Sequence, residues 1–566
     1  MTDAVKARSS NREFQTGLIP SLANRRAMSA KYWKHAPSVW FYKLRSGQEP
    51  VLAVALLVTF LAYFYAADLK GIWNDDAVRL TIANGGIATA SLESRHPGDL
   101  KHVIKANGIY ATQPAYLLLV NRILHLTQSY SVIPIVTTNL FIFLFSAAGI
   151  HLLARRLLPA GPRLLAVLFY LWNGFAMVHV LQVREYPLIL FFLVYNTLFF
   201  YQLFDPHREP TKWTFWLVAG AYCLSAAAAF YTTKWAPFFL WPQAAIAALT
   251  LRRKTFAALT ALGSLGVAAL LCLPWVLSIP KNSVVFMLWD KRAPSLKLLF
   301  TRLYGGTEHL LIGSQLPGRP LLQVYYWIVL LLVAGGMFFF ASRLFRERFE
   351  IQHLVLTVLG FLAFQIAYFF LREPLSTWPR YFILYLPYVA LLIPLIISRL
   401  FACGSISVAR RAWLYVGCLF IVGLSGFAQI RNNYKQPLVD HGPDFREVYR
   451  YLIARVAPRD KIVVGLTTNR LALNYYWPSP SQIQLRYKTL PSERTDSPSD
   501  VWTVSYKDAD SQAFRDYAHR LEVMGYRLKT SRIISGVTVR QFVKQQSHVI
   551  LELEADEGRG ALSAGN

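Results

Sequence analysis

Residues 164–204 read LLAVLFYLWNGFAMVHVLQVREYPLILFFLVYNTLFFYQLF, two apolar blocks parted by one charged pair, Arg184-Glu185. The blocks Leu164–Val183 and Tyr186–Phe204 contain no Asp, Glu, Lys or Arg. A helix rises about 1.5 Å per residue, so about 20 apolar residues match a hydrocarbon core about 30 Å thick. Two such blocks back to back read as two membrane-spanning helices joined by a short charged turn.

The pattern extends in both directions. Further charge-free stretches run Pro50–Ala67, Thr127–Ala154, Trp213–Thr233, Trp235–Leu251, Thr255–Pro280, Pro320–Ser342, Ile351–Leu371, Tyr381–Ser398 and Ala412–Ile430. With 54% hydrophobic and 14% aromatic residues, the chain is expected to be an α-helical polytopic membrane protein. The count gives about eleven transmembrane helices, the shortest of which can span where the bilayer thins or flanking residues anchor it.

The balance of 59 Lys and Arg against 31 acids, a net +28, raises the question of nucleic acid. Its placement answers it. Segment 1–49 is basic, and clusters recur at Arg155, Arg156 and Arg163, at Arg208 and Lys212, at Arg252–Lys254, at Arg343–Arg348, and at Arg399, Arg410 and Arg411. With a cytoplasmic N-terminus, eleven spans put every cluster on the cytoplasmic side, as the positive-inside rule requires. The charge is topology, no nucleic-acid partner is expected, and an odd span count exports the C-terminus. The first apolar block follows about fifty polar residues with no cleavage site behind it, which reads as an uncleaved signal anchor. Four cysteines lie in or beside spans at Cys223, Cys272, Cys403 and Cys418, with neither disulfide nor metal spacing.

The expected organisation is a basic cytoplasmic segment 1–49, a transmembrane domain 50–430 with external loops 68–128 and 281–319, a soluble α/β domain 437–545 and a polar tail 546–566. In the first loop, Tyr116, Leu117, Val120, Ile123 and Leu124 recur at helical spacing. In the second, Leu296, Leu299, Phe300, Leu303 and Tyr304 stripe one face, as a lid over the bundle would. Beyond residue 430, Phe445, Val448, Tyr449, Leu452 and Val456 mark a helix; Lys461–Val464, Val501–Ser505 and Gly536–Phe542 read as strands around an amphipathic Ser511–Met524.

Candidate chemistry collects on the exported side. Trp73-Asn74-Asp75-Asp76 follows the first span, and a carboxylate there can take a proton from an incoming hydroxyl as a general base. Asn-Asp-Asp also suits the first turn of a helix, where it caps the backbone and complements the dipole. Arg184 stands outside, against the charge trend, and can grip a phosphate or serve as an interfacial anchor paired with Glu185. Lys234, Arg372 and Arg380 repeat that situation at other outer helix ends. His179, Trp289, Asp290, Glu308 and His309 lie near the same face.

In order and sidedness, Trp73–Asp76, Arg184-x-Tyr186 before a long apolar helix, and Arg380-Tyr381 with Pro387 resemble the GT-C glycosyltransferases. The likeness is to the bacterial relatives of protein O-mannosyltransferases and of ArnT (family 39-like) over roughly 50–430. It implies inverting transfer of a sugar from a polyprenyl-phosphate carrier to a glycan, lipid or protein acceptor on the external face of the bacterial inner membrane. It implies Asp75 as the base and Asp76 as its neighbour in acceptor or substrate binding, although many relatives carry Glu at the second position. Arg184, Tyr186, Lys234, Arg372, Arg380 and Tyr381 are the implied ligands of lipid phosphate or sugar. No cofactor or metal is assigned, although some relatives in the wider superfamily use a divalent metal. The competing reading is a multi-pass transporter or lipid translocase without glycosyl transfer, whose charges would line a path near the midplane.

Overall fold

The computed structural model describes residues 38–69, 74–83, 103–104, 114–128, 132–205, 212–278, 295–312, 320–371, 379–403, 407–435, 445–465, 470, 472–473, 476–477, 483–485, 500–506, 511–534 and 536–545. Trp73, Trp289, Asp290, Arg372 and the tail 546–566 lie outside them, as do the side chains of Asp75 and Asp76.

The helices in chain order are α1 Ser38–Leu69, α2 Asn74–Ala83, α3 Pro114–Thr127, α4 Val132–Leu157, α5 Ala160–Leu171, α6 Gly174–Val180, α7 Tyr186–Leu203, α8 Trp213–Thr232 and α9 Pro237–Thr250. There follow α10 Thr255–Ser278, α11 Leu296–Ile312, α12 Pro320–Ser342, α13 Phe349–Leu371, α14 Leu386–Cys403, α15 Val408–Lys435, α16 Phe445–Ile453 and α17 Gln512–Val523. Every apolar block found in the sequence carries a helix among the described residues. Among the described residues, eight helices are long and apolar enough to cross a membrane, and a ninth span forms if the bent pair α5–α6 crosses as one. The other two of the eleven expected helices, α9 and α15, form but fall short of that apolar length. The 14 residues of α9 rise only about 21 Å, and the apolar part of α15, Ala412–Phe427, is similarly short.

The bend in the opening stretch has a local cause. Asn173 ends the run of α5: its Oδ1 accepts from Ala176 N at 3.1 Å and caps α6, while its Nδ2 donates to Leu310 O of α11 at 2.7 Å. The axis turns 48° there. α14 is the central helix, with 89% of its spanning window buried, against 22% for α1 and α10 at the periphery. Gly336 permits close packing onto it, since a Cβ there would meet Ile396 at 2.3 Å.

The basic clusters converge at one end of the bundle. Arg156 reaches Asp205 at 3.3 Å and Glu350 at 3.6 Å, Lys254 donates to Phe204 O at 2.5 Å, and Arg399 pairs with Glu347 at 3.1 Å. Just inside, fully buried His353 bonds the Tyr201 hydroxyl through Nδ1 at 3.0 Å.

The C-terminal strands β1 Lys461–Val464, β2 Ile483–Leu485, β3 Asp500–Ser505, β4 Tyr526–Ile534 and β5 Val537–Lys544 form one sheet of order β2-β1-β3-β5-β4. β1 runs parallel to β2 and β3, and β5 antiparallel to β3 and β4. Gly536, at φ +78°, turns the β4–β5 hairpin. Phe514, Tyr517 and Leu521 of α17 cover one face, against Val463, Val501 and Phe542. On the other, Phe445, Val448 and Leu452 of α16 join an apolar cluster that continues into Ala77 and Leu80 of α2 and Tyr116 and Val120 of α3. The two loop helices and the sheet thus sit at the same end of the molecule, the end away from the basic clusters.

Candidate active site

The site is built on the charged turn between the two blocks of the opening stretch. Arg184 N donates to Gln182 O at 2.8 Å, which folds the turn, and Pro187 stands in the first turn of α7 where a missing N–H costs nothing. Asn139, fully buried in α4, donates from Nδ2 to Gln182 O at 2.8 Å and to the Tyr116 hydroxyl at 3.0 Å. The turn is therefore held to both α4 and α3.

Glu185 forms an ion pair with Arg79 of α2, the helix whose first turn carries Asp75 and Asp76. Burial alone would raise the Glu185 carboxyl, but the Arg79 and Arg184 guanidiniums outweigh it and hold it below the usual carboxylate range. Asn121 of α3 donates to Ala83 O at the far end of α2 at 2.9 Å. The helix carrying the acid pair is thus fastened at its middle and at its C-terminal end.

Arg184 is only 3% exposed. Tyr186 stands within electrostatic range of Arg380, Arg184, Glu185 and Tyr381. Arg380 and Tyr381 come from the 3₁₀ segment Pro379–Tyr385, with the Arg380 guanidinium 5.5 Å from the Tyr381 ring centre. Tyr381 packs on Trp235 at 5.2 Å, and exposed Lys234 lies over the same indole at 5.3 Å. His179 rests on Tyr186 at 4.5 Å and on Phe175 at 4.6 Å, and Phe175 stacks on His309 of α11 at 5.4 Å. Gly306 lets α11 press on the 3₁₀ segment, where a Cβ would meet the Phe382 ring at 2.3 Å. The neighbouring Glu308 carboxyl is pushed up by burial.

Of the residues singled out in the sequence, Arg184, Arg380 and Tyr381 lie within electrostatic range of Tyr186, Arg380 packs on Tyr381, and Lys234 joins Tyr381 through Trp235. Asp75 and Asp76 are tied to them by the backbone of α2 and the Arg79 pair, while Arg372 lies outside the described residues. Arg79, Asn139 and Trp235 were not anticipated as parts of the site. A lone Asn inside an apolar span was the available signal for Asn139, because such a group needs a partner away from water. Among the described residues no three His, Cys, Asp or Glu side chains gather as a metal site requires.

No family model matches the sequence, and no curated protein does. Among solved structures, ArnT from Cupriavidus metallidurans bound to undecaprenyl phosphate superposes with a TM-score of 0.53 at 12% identity, covering 87% of this chain and 98% of that one. The chain has the GT-C glycosyltransferase fold. The unmatched 13% of the chain is smaller than the C-terminal α/β unit, so the GT-C likeness extends beyond the spans into that unit. An oligosaccharyltransferase from Archaeoglobus fulgidus, in complex with Zn and sulfate, is more distant at TM-score 0.45 and 11% identity, covering 88% of this chain and 74% of that one.

Proposed function

We propose that this protein is a multi-pass inner-membrane glycosyltransferase that moves a sugar from a polyprenyl-phosphate carrier to a glycan, lipid or protein acceptor at the periplasmic end of its bundle. The observation that carries the reading is the joining of an acidic helix start to a buried, arginine-bearing turn. α2, with Asp75 and Asp76 on its first turn, is bound through Arg79 to Glu185, next to Arg184, Tyr186 and Arg380. The undecaprenyl phosphate held by the ArnT structure of the same fold supports a lipid-phosphate donor.

In the proposed step the acceptor O–H gives its proton to the Asp75 carboxylate as its oxygen bonds to the anomeric carbon. The bond from that carbon to the phosphate oxygen breaks on the opposite face, its electron pair leaves with the phosphate, and the centre inverts. Asp76 orients the acceptor. Arg184 and Arg380 meet the charge that grows on the departing phosphate, a stabilisation that strengthens in the transition state away from water. The donor must be met in lipid: at about 0.8 kcal/mol per buried CH₂, drawing a chain of about fifty carbons into water costs on the order of 40 kcal/mol.

The purified protein in proteoliposomes is expected to move label to acceptor from a polyprenyl-phosphate sugar and not from a nucleotide sugar. Transfer from the nucleotide sugar in lipid free of carrier would defeat the proposal. The transporter reading draws on buried His353, which sits beside the basic end, and predicts uptake without any new glycosidic bond.

A further inference from the structure

We propose that Glu185, acting through its ion pair with Arg79, is a positioning residue that sets where the acid pair of α2 stands relative to Arg184. This rests on the reading of Asp75 as the base.

α2 has ten residues, too few to hold its place alone, so its position is set by what it is tied to. Its apolar side, Ala77 and Leu80, packs into the cluster with α3, and Asn121 holds its C-terminal end through Ala83 O. Those contacts bury one face of the helix and hold its C-terminal end. Arg79 lies one turn beyond Asp75, on the same face by spacing, and the Glu185 carboxylate it meets adjoins Arg184 in sequence. The pair is a charged link between the helix bearing the acids and the turn bearing the phosphate-binding arginine, beside the apolar cluster that Val183 shares with Ala77 and Leu80. Side-chain exposures of 18% and 14% keep it largely clear of salt screening. Nothing else in the proposed reaction uses either side chain.

A base displaced by about 1 Å loses on the order of 10²-fold in rate while the substrate still binds. Glu185→Gln is therefore expected to lower kcat by about 10²-fold, with the KM for the lipid donor within about twofold. Arg79→Gln should match it, the double variant should be no worse than either single, and Arg79→Lys should recover at least a tenth of wild-type kcat. Arg399→Gln, which breaks the pair with Glu347 at the opposite end, should leave kcat unchanged. Wild-type kcat in Glu185→Gln beside an inactive Asp75→Asn overturns the tether and leaves the base reading standing. Wild-type transfer by Asp75→Asn overturns the base reading itself. If Glu185→Gln and Arg79→Gln both fail to fold, or if thermal unfolding shifts while kcat holds, the pair is structural and the proposal is wrong.

Discussion

Replacing Asp75 with Asn is expected to cut sugar transfer by about 10²–10⁴-fold, the usual contribution of a general base, with the protein still inserted and folded. The choice of Asn separates the two readings that the position allows. Asp75 falls in the first turn of α2, where a carboxylate can complement the helix dipole as well as act as a base. Asn keeps the size of Asp and loses only its charge, so a purely structural role predicts a stability loss of about 0.3–1 kcal/mol and unchanged transfer. A base cannot be replaced in this way, because the amide does not accept the acceptor's proton at neutral pH. Thermal unfolding and transfer measured on the same preparation decide between them, and wild-type transfer by Asp75→Asn would remove the proposed mechanism.

The second large effect is expected at Arg184. Its side chain is buried beside Glu185 and Tyr186, where a guanidinium is less screened than at an open surface. Losing a donor aimed at a developing oxyanion costs about 10²–10³-fold in rate, so Arg184→Gln should lower kcat/KM for the lipid donor by about 10²-fold or more. Arg184→Lys should recover part of that loss, since the ammonium keeps the charge but not the planar fork that grips a phosphate with two bonds. Steady-state kinetics over a range of donor concentrations reads both. An interfacial anchor predicts instead that Lys is fully equivalent and that Gln leaves kcat/KM intact.

The helices were legible because lipid allows so little latitude: an apolar block of spanning length has few alternatives to a helix. What the blocks do inside the bundle was not legible. The break at Asn173 depends on a partner 137 residues away, Leu310 O, and no periodicity within 164–183 announces it. In the sheet, β1, β3 and β5 alternate or bury enough to be read. β4 was missed because it is mostly exposed and its register shifts between Leu528 and Thr530, which erases the period of two. The basic end could be read from the clusters, and the structure gathers Arg156, Arg348 and Arg399 there with their acids and Lys254 on the Phe204 carbonyl.

The candidate site divides the same way. Arg184 and Arg380 stood out because positive charge outside runs against the topological trend. Both act on Tyr186 electrostatically because the 3₁₀ segment at Pro379–Tyr385 carries a late part of the chain back towards the turn before α7. Arg79 looked like an ordinary charge on a short helix, and only its partner Glu185 gives it a place. Lys234 was grouped with the arginines on charge, whereas the structure links it to them through the Trp235 indole and leaves it exposed.

The central claim is the use of a sugar carried on a lipid phosphate, and it is tested most directly by mass spectrometry of polyprenyl-phosphate-linked sugars and envelope glycans from a deletion strain and its parent. The account predicts that one lipid-phosphate sugar accumulates in the deletion strain, that the same sugar disappears from an envelope glycan, lipid or protein, and that wild-type protein restores both while Asp75→Asn restores neither. Identical lipid-linked sugars and identical envelope glycosylation in the two strains would contradict it.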